Sequence, residues 1–70
     1  MITFPITASR REFFEEALRT GQCVRCEEGC GYVKEVTQEG FSKDGPVLFV
    51  KFDKLIFLDE KLCSMDARLL

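Results

Sequence analysis

The sequence predicts an α+β chain: one N-terminal helix followed by a small, curved antiparallel sheet of four to five strands, rolled into a barrel. Three observations carry that expectation. Apolar residues recur at helical spacing from Phe13 to Leu18, the period changes from 3.6 to 2 after Gly21, and turn signals bearing glycine recur from there to Pro46. Seventy residues form one domain, 1–70, with the helix at about 10–20 and the barrel at about 22–65.

Residues 1–7 read as an extended arm in which Ile2, Phe4 and Ile6 alternate with Thr3, Pro5 and Thr7. Pro5 lacks an amide hydrogen, which confines any strand here to an edge. Ser9-Arg10-Arg11-Glu12 reads as a capping box that starts the helix. Phe13, Phe14, Ala17 and Leu18 then share one arc, with Glu15, Glu16 and Arg19 outside it. Gly21 sits where a left-handed residue ends a helix.

Residues 22–26 and 30–37 read as two strands. The connection Glu27-Glu28-Gly29 suits a three-residue hairpin with Gly29 left-handed, and Cys26 then faces Cys30. Val24, Val33 and Val36 are the expected core of this ribbon. Gln38-Glu39-Gly40 and Lys43-Asp44-Gly45-Pro46 are turn signals on either side of Phe41, and together they predict a long, mobile connection of the kind that carries binding. Val47 to Phe52 is the strongest strand signal. Leu55 to Leu58 follows across Asp53-Lys54, either as a hairpin or as one long bent strand. Leu62 to Met65 reads as a last short strand or a helical turn.

Composition narrows the class. A content of 46% hydrophobic residues with seven phenylalanines is enough for a packed core, which argues against intrinsic disorder. The net charge is −2, and Lys and Arg are interspersed with Glu and Asp, unlike the basic stripe that nucleic-acid binders advertise. The chain begins without a basic, then apolar, export signal, and no apolar run approaches a membrane span. The expected setting is therefore cytoplasmic and reducing, with no membrane partner.

The four cysteines admit three readings. Cys23-x2-Cys26 has the spacing of a zinc knuckle, and Cys30 and Cys63 would complete an all-thiolate set of four ligands. Against that, a regular strand turns Cys23 and Cys26 to opposite faces. Small buried thiols acting as core filler are the leading reading, with no cofactor bound. A disulfide between Cys26 and Cys30 is the third.

Catalysis has little support. The sequence has no histidine, which removes the commonest general base and the Ser-His and Cys-His nucleophile pairs. The carboxylate neighbours Glu15-Glu16, Glu27-Glu28 and Asp59-Glu60 diverge on helix and strand alike, and no Gly-rich phosphate loop follows a strand. No residue is assigned a catalytic role, and the chain is expected not to be an enzyme.

Partner binding is better supported. Leu48, Val50 and Phe52 line one side of their strand, and Val47 and Phe49 line the other. Either the helix covers the second side or a partner does. Tyr32, Phe41, Val47 and Phe49 are the expected partner-binding residues, aromatic and apolar anchors of the type that interfaces favour.

Gly21-Gln-Cys-Val24, then Gly29-Cys-Gly31-Tyr-Val33, then Val47 to Asp53 resembles the rhythm of SH3-like barrels of the KOW type. There a glycine-led first strand turns into a Gly-x-Val second strand, and a Val-x-Phe-Asp strand comes later. The likeness covers residues 21–58. The chain departs from that pattern in its short Glu27-Glu28-Gly29 turn and in lacking the basic residues of that loop. The resemblance implies the barrel, and in its family contact with RNA or with the transcription and translation machinery.

The function expected from these residues is a small non-enzymatic binding protein. It would act on another protein, or pair with a second copy of itself, as an accessory subunit or a compact inhibitor of the sort phages encode. The alternative is a four-cysteine zinc module contacting nucleic acid or the transcription machinery, which a basic patch of Arg10, Arg11, Arg25, Lys34 and Lys51 would favour. A thiol redox protein is the weaker alternative.

Overall fold

The computed structural model describes residues 1–56 and 63–69. Strand β1 (Ile2–Ile6) leads through a 3-10 turn at Ala8–Arg10 into helix α1 (Arg11–Thr20). Strands β2 (Val24–Cys26), β3 (Gly29–Ser42), β4 (Gly45–Lys54) and β5 (Met65–Asp66) follow, and the 3-10 turn Ala67–Leu69 comes last. The five strands form one sheet in the order β1-β4-β3-β2-β5. It is mixed, because β5 runs parallel to β2 while the other pairs are antiparallel. It is also open: β1 and β5 are its edges, so the expected SH3-like closure is not formed by the described strands.

The helix starts and stops by different means. Gly21 ends it in the left-handed conformation (φ 70°), its N–H donating to the Ala17 carbonyl at 2.9 Å, as the sequence predicts. The capping box does not form. Ser9 lies inside the 3-10 turn, where its hydroxyl pairs with that of Thr7 at 2.9 Å, and Arg10 stands at the cap with no side-chain capping bond. Phe14 and Ala17 are buried, whereas Leu18 is 40% exposed and sits at the margin of the apolar arc.

One cluster makes the core: Phe14 and Ala17 of α1, Val24 and Cys26 of β2, Val33 of β3, Val50 and Phe52 of β4, and Ala67. Phe4, Phe13 and Val36 pack against it half-buried. Phe4 joins the layers, its ring meeting Phe14 at 6.0 Å and Phe52 at 5.7 Å, both edge to face. The helix therefore covers the Leu48, Val50 and Phe52 side of β4. Pro5 sits in an edge strand, as its missing amide hydrogen requires.

Three further sequence expectations are corrected. The β2–β3 hairpin turns on Glu27-Glu28 alone, with Gly29 (φ 124°) opposite Cys26 and Arg25 opposite Cys30. Cys26 and Cys30 therefore point to opposite faces and are not a cross-strand pair. The long connection at 38–46 is instead strand: β3 runs for 14 residues and turns tightly at Lys43-Asp44, with Ser42 paired to Gly45. Gly40 (φ 84°) belongs to a bulge between Gln38 and Phe41, so the first turn signal bends a strand without ending it. Asp53-Lys54 is not a hairpin either, because β4 ends there and the Leu55 N–H donates to the Cys30 carbonyl at 2.8 Å. The expected run to Leu58 lies partly outside the described residues, as does Leu62 of the expected last strand.

Candidate functional site

Alternation along β4 builds the first candidate surface. Leu48, Val50 and Phe52 are buried on the core side of the sheet, so Val47, Phe49, Lys51 and Asp53 point to the other side. Register sets the neighbours of Phe49: Pro5 of β1 on one flank and Thr37 of β3 on the other. Val47 and Phe49 stay half-exposed on this side. Further along the same face, Lys51 Nζ meets Glu35 Oε2 at 3.1 Å, a charged border to the apolar patch.

The structure thus brings Val47 and Phe49 together. Tyr32 shares their face beyond the Lys51–Glu35 pair, opposite Asp53, with Lys34 Nζ 5.9 Å from its ring centroid. Phe41 is elsewhere. It pairs with Pro46 near the tip of the β3–β4 hairpin, on the helix side of the ribbon by register, and is 78% exposed. Pro5 and Thr37 were missed from sequence, although the alternation of residues 2–6 already sets Pro5 opposite to Phe4.

Arg10, Arg11, Arg19, Lys51 and Arg68 are each matched by a carboxylate. Arg10 reaches Glu27 through both terminal nitrogens, at 3.1 and 3.2 Å, and Arg11 reaches Glu15 at 2.8 Å. The Arg10 hydrogen bond holds the Glu27 carboxyl below its usual range and raises the Arg10 guanidinium in turn. Asp66 accepts from the backbone and side chain of Arg68, and that side-chain bond foremost brings its pKa down to about 2. The result is a patchwork of signs in place of a basic stripe.

The cysteines divide into one and three. Cys26 lies in the helix-side core, where its thiol donates to the Gly29 carbonyl at 3.6 Å and burial, the main cause, pushes its pKa up. Cys23 and Cys30 are buried outside that cluster. Cys63 comes to them because β5 lies beside β2: the Met65 N–H donates to the Cys23 carbonyl at 3.4 Å, and Ser64 Oγ donates to Gln22 Oε1 at 2.8 Å. The Sγ atoms of Cys23 and Cys63 are 2.8 Å apart, and the Cys30 thiol also hydrogen-bonds Cys63. Burial first, then the Cys23 contact, raises the Cys63 pKa.

Among the described residues, no group of three or more Cys, Asp or Glu side chains is arranged to hold a metal ion. Two thiolates on one tetrahedral zinc, each about 2.3 Å from it, stand about 3.8 Å apart. The Cys23–Cys63 separation is shorter than that by a wide margin. A shallow depression of about 350 Å³ on the outer face of α1 is lined by Glu12, Glu15, Glu16 and Arg19, three carboxylates and a guanidinium with no hydroxyl or thiol among them.

No helix of the described residues is long and apolar enough to cross a membrane. No protein-family model, no curated protein and no solved structure matches the chain.

Proposed function

We propose that the chain is a small, non-enzymatic binding protein that recognises another protein through the sheet face turned away from α1. The position of Phe49 carries this reading. It stands half-exposed in the middle of three strands, between Pro5 and Thr37 and one alternation step from Val47. An aromatic anchor within a small apolar patch, bordered by the Lys51–Glu35 pair and Thr3, has the layout of an interface centre and its polar rim.

Two further observations support a protein partner. Arg10, Arg11 and Lys51 each meet a carboxylate, which disfavours the phosphate backbone of a nucleic acid and with it the RNA contact implied by the KOW-type resemblance. The absence of histidine favours recognition over turnover. An accessory subunit or a compact inhibitor fits a chain of this size, built as one sheet and one covering helix.

The test is photo-crosslinking in the cells that make the protein. A photoreactive side chain at position 49 should capture one defined protein, and the same group at Glu12 on the helix face should not. Equal capture from both positions, or none from position 49, would contradict the proposal.

A further inference from the structure

The thiol group formed by Cys23, Cys30 and Cys63 is not used by the binding face. Its geometry is unusual for reduced cysteines. Two sulfur atoms at 2.8 Å are inside ordinary non-bonded contact, and Cys23 and Cys63 come from positions 40 residues apart in sequence. One backbone and one side-chain bond hold them there, the Met65 N–H donating to the Cys23 carbonyl and the Ser64 hydroxyl to Gln22 Oε1. Cys63 is the more exposed of the pair, and Cys23 is 8% exposed.

We propose that Cys23 and Cys63 form a reversible disulfide by exchange with a small-molecule disulfide of the glutathione class, with Cys63 as the entry thiol. In the first step the Cys63 thiolate attacks one sulfur of the small disulfide. A mixed disulfide forms on Cys63, and one small thiolate leaves. In the second step the Cys23 thiolate attacks the Cys63 sulfur and expels the second small thiolate. The two thiol protons end on the two released small thiols. The protein loses two hydrogens and the small disulfide is reduced to two thiols, so atoms and electrons balance.

The bond ties the α1–β2 connection to the segment leading into the parallel edge strand β5, which pairs with β2 through two residues. Closing a loop of that length stabilises chiefly by restricting the unfolded chain. For the 40-residue span between Cys23 and Cys63, oxidation should therefore lower the unfolding equilibrium constant by nearly three orders of magnitude, about 700-fold. Because the Cys63 thiol lies above its usual range, the exchange should be slow at neutral pH and quicken as pH rises.

The experiment equilibrates the full chain in glutathione buffers of graded oxidised-to-reduced ratio, quenches with acid and maps the bonds. Trypsin places Cys23 on 20–25, Cys26 with Cys30 on 26–34, and Cys63 on 62–68, so the linkage is read directly from peptide masses. The expected result is a monomer about 2 Da lighter, 20–25 joined to 62–68, and a raised urea midpoint that returns on reduction. Cys26→Ser should leave that linkage intact, and if this variant does not fold the wild-type map decides. A bond engaging 26–34, an intermolecular dimer, a terminal glutathione adduct on Cys63, or four unmodified thiols at every ratio would overturn the proposal.

Discussion

The Arg10 guanidinium and the Glu27 carboxylate meet end on, at 3.1 and 3.2 Å, and link the start of α1 to the β2–β3 turn across 17 positions of sequence. Both groups are partly exposed, so this pair contributes modestly at neutral pH. Its clearer signature is in acid. The Glu27 pKa is lowered in the folded chain, which means its contribution is complete above the ordinary glutamate value and is lost as pH falls through the folded one. Asp66 behaves alike, with a window from about 4 in the unfolded chain to about 2 in the folded one. Thermal midpoints of wild type and Glu27→Gln, followed by circular dichroism, should differ at pH 7 and converge as pH falls through the lowered Glu27 titration.

Burial of the helix face sets a second expectation. Phe14 is 1% exposed and touches Phe4 and Phe13 edge to face, whereas Leu18 is 40% exposed. Phe14→Ala should cost about 3–5 kcal/mol, enough to leave a small domain largely unfolded, and Leu18→Ala about 1 kcal/mol or less. Urea titration measures both. Similar losses at the two positions would show that α1 packs in a different rotation.

The two closest strands give a third. A Cβ at Gly31 would lie 2.1 Å from the Asp53 carbonyl oxygen, so any side chain there must push β3 from β4. Gly40 has open space around it but takes φ 84°. Gly31→Ala should cost about 3 kcal/mol. Gly40→Ala should cost about 1 kcal/mol, the strain of a left-handed conformation without a clash.

Parts of this architecture were legible before the fold was seen. Phe14 and Ala17 declare the buried face of α1, Gly21 marks its end, and Val24 and Val33 are core by alternation. The rest depends on pairing that no local pattern encodes. Gly40 and Gly45 look like two turns, yet one is a bulge inside a strand stabilised by its neighbour β4. Ser9 and Glu12 match a capping box, but the 3-10 turn tightens the chain one step earlier. Cys63 meets Cys23 through a parallel strand pair, whereas the tight spacing of Cys23 and Cys26 draws attention to two thiols that point apart. Alternation alone turns Phe49 away from the core face of β4; its flanking by Pro5 and Thr37 needs the strand order.

Thiol reactivity supplies a fourth expectation, independent of oxidation. Cys26 is 4% exposed, and its raised pKa keeps it protonated at neutral pH. Alkylation of the reduced native protein should reach Cys63 first and Cys26 at least tenfold more slowly, as read by peptide mapping over time. Equal rates in the native protein would mean that β2 opens on the timescale of labelling.

The sheet face opposite α1 is tested most directly by affinity. Once a protein is captured from position 49, its dissociation constant is measured by calorimetric titration against wild type and against Phe49→Ser, with thermal midpoints recorded alongside. The expected result is binding weakened at least tenfold by Phe49→Ser, about 1.4 kcal/mol, in a variant that keeps its fold. Unchanged affinity in that folded variant would contradict a binding face centred on Phe49.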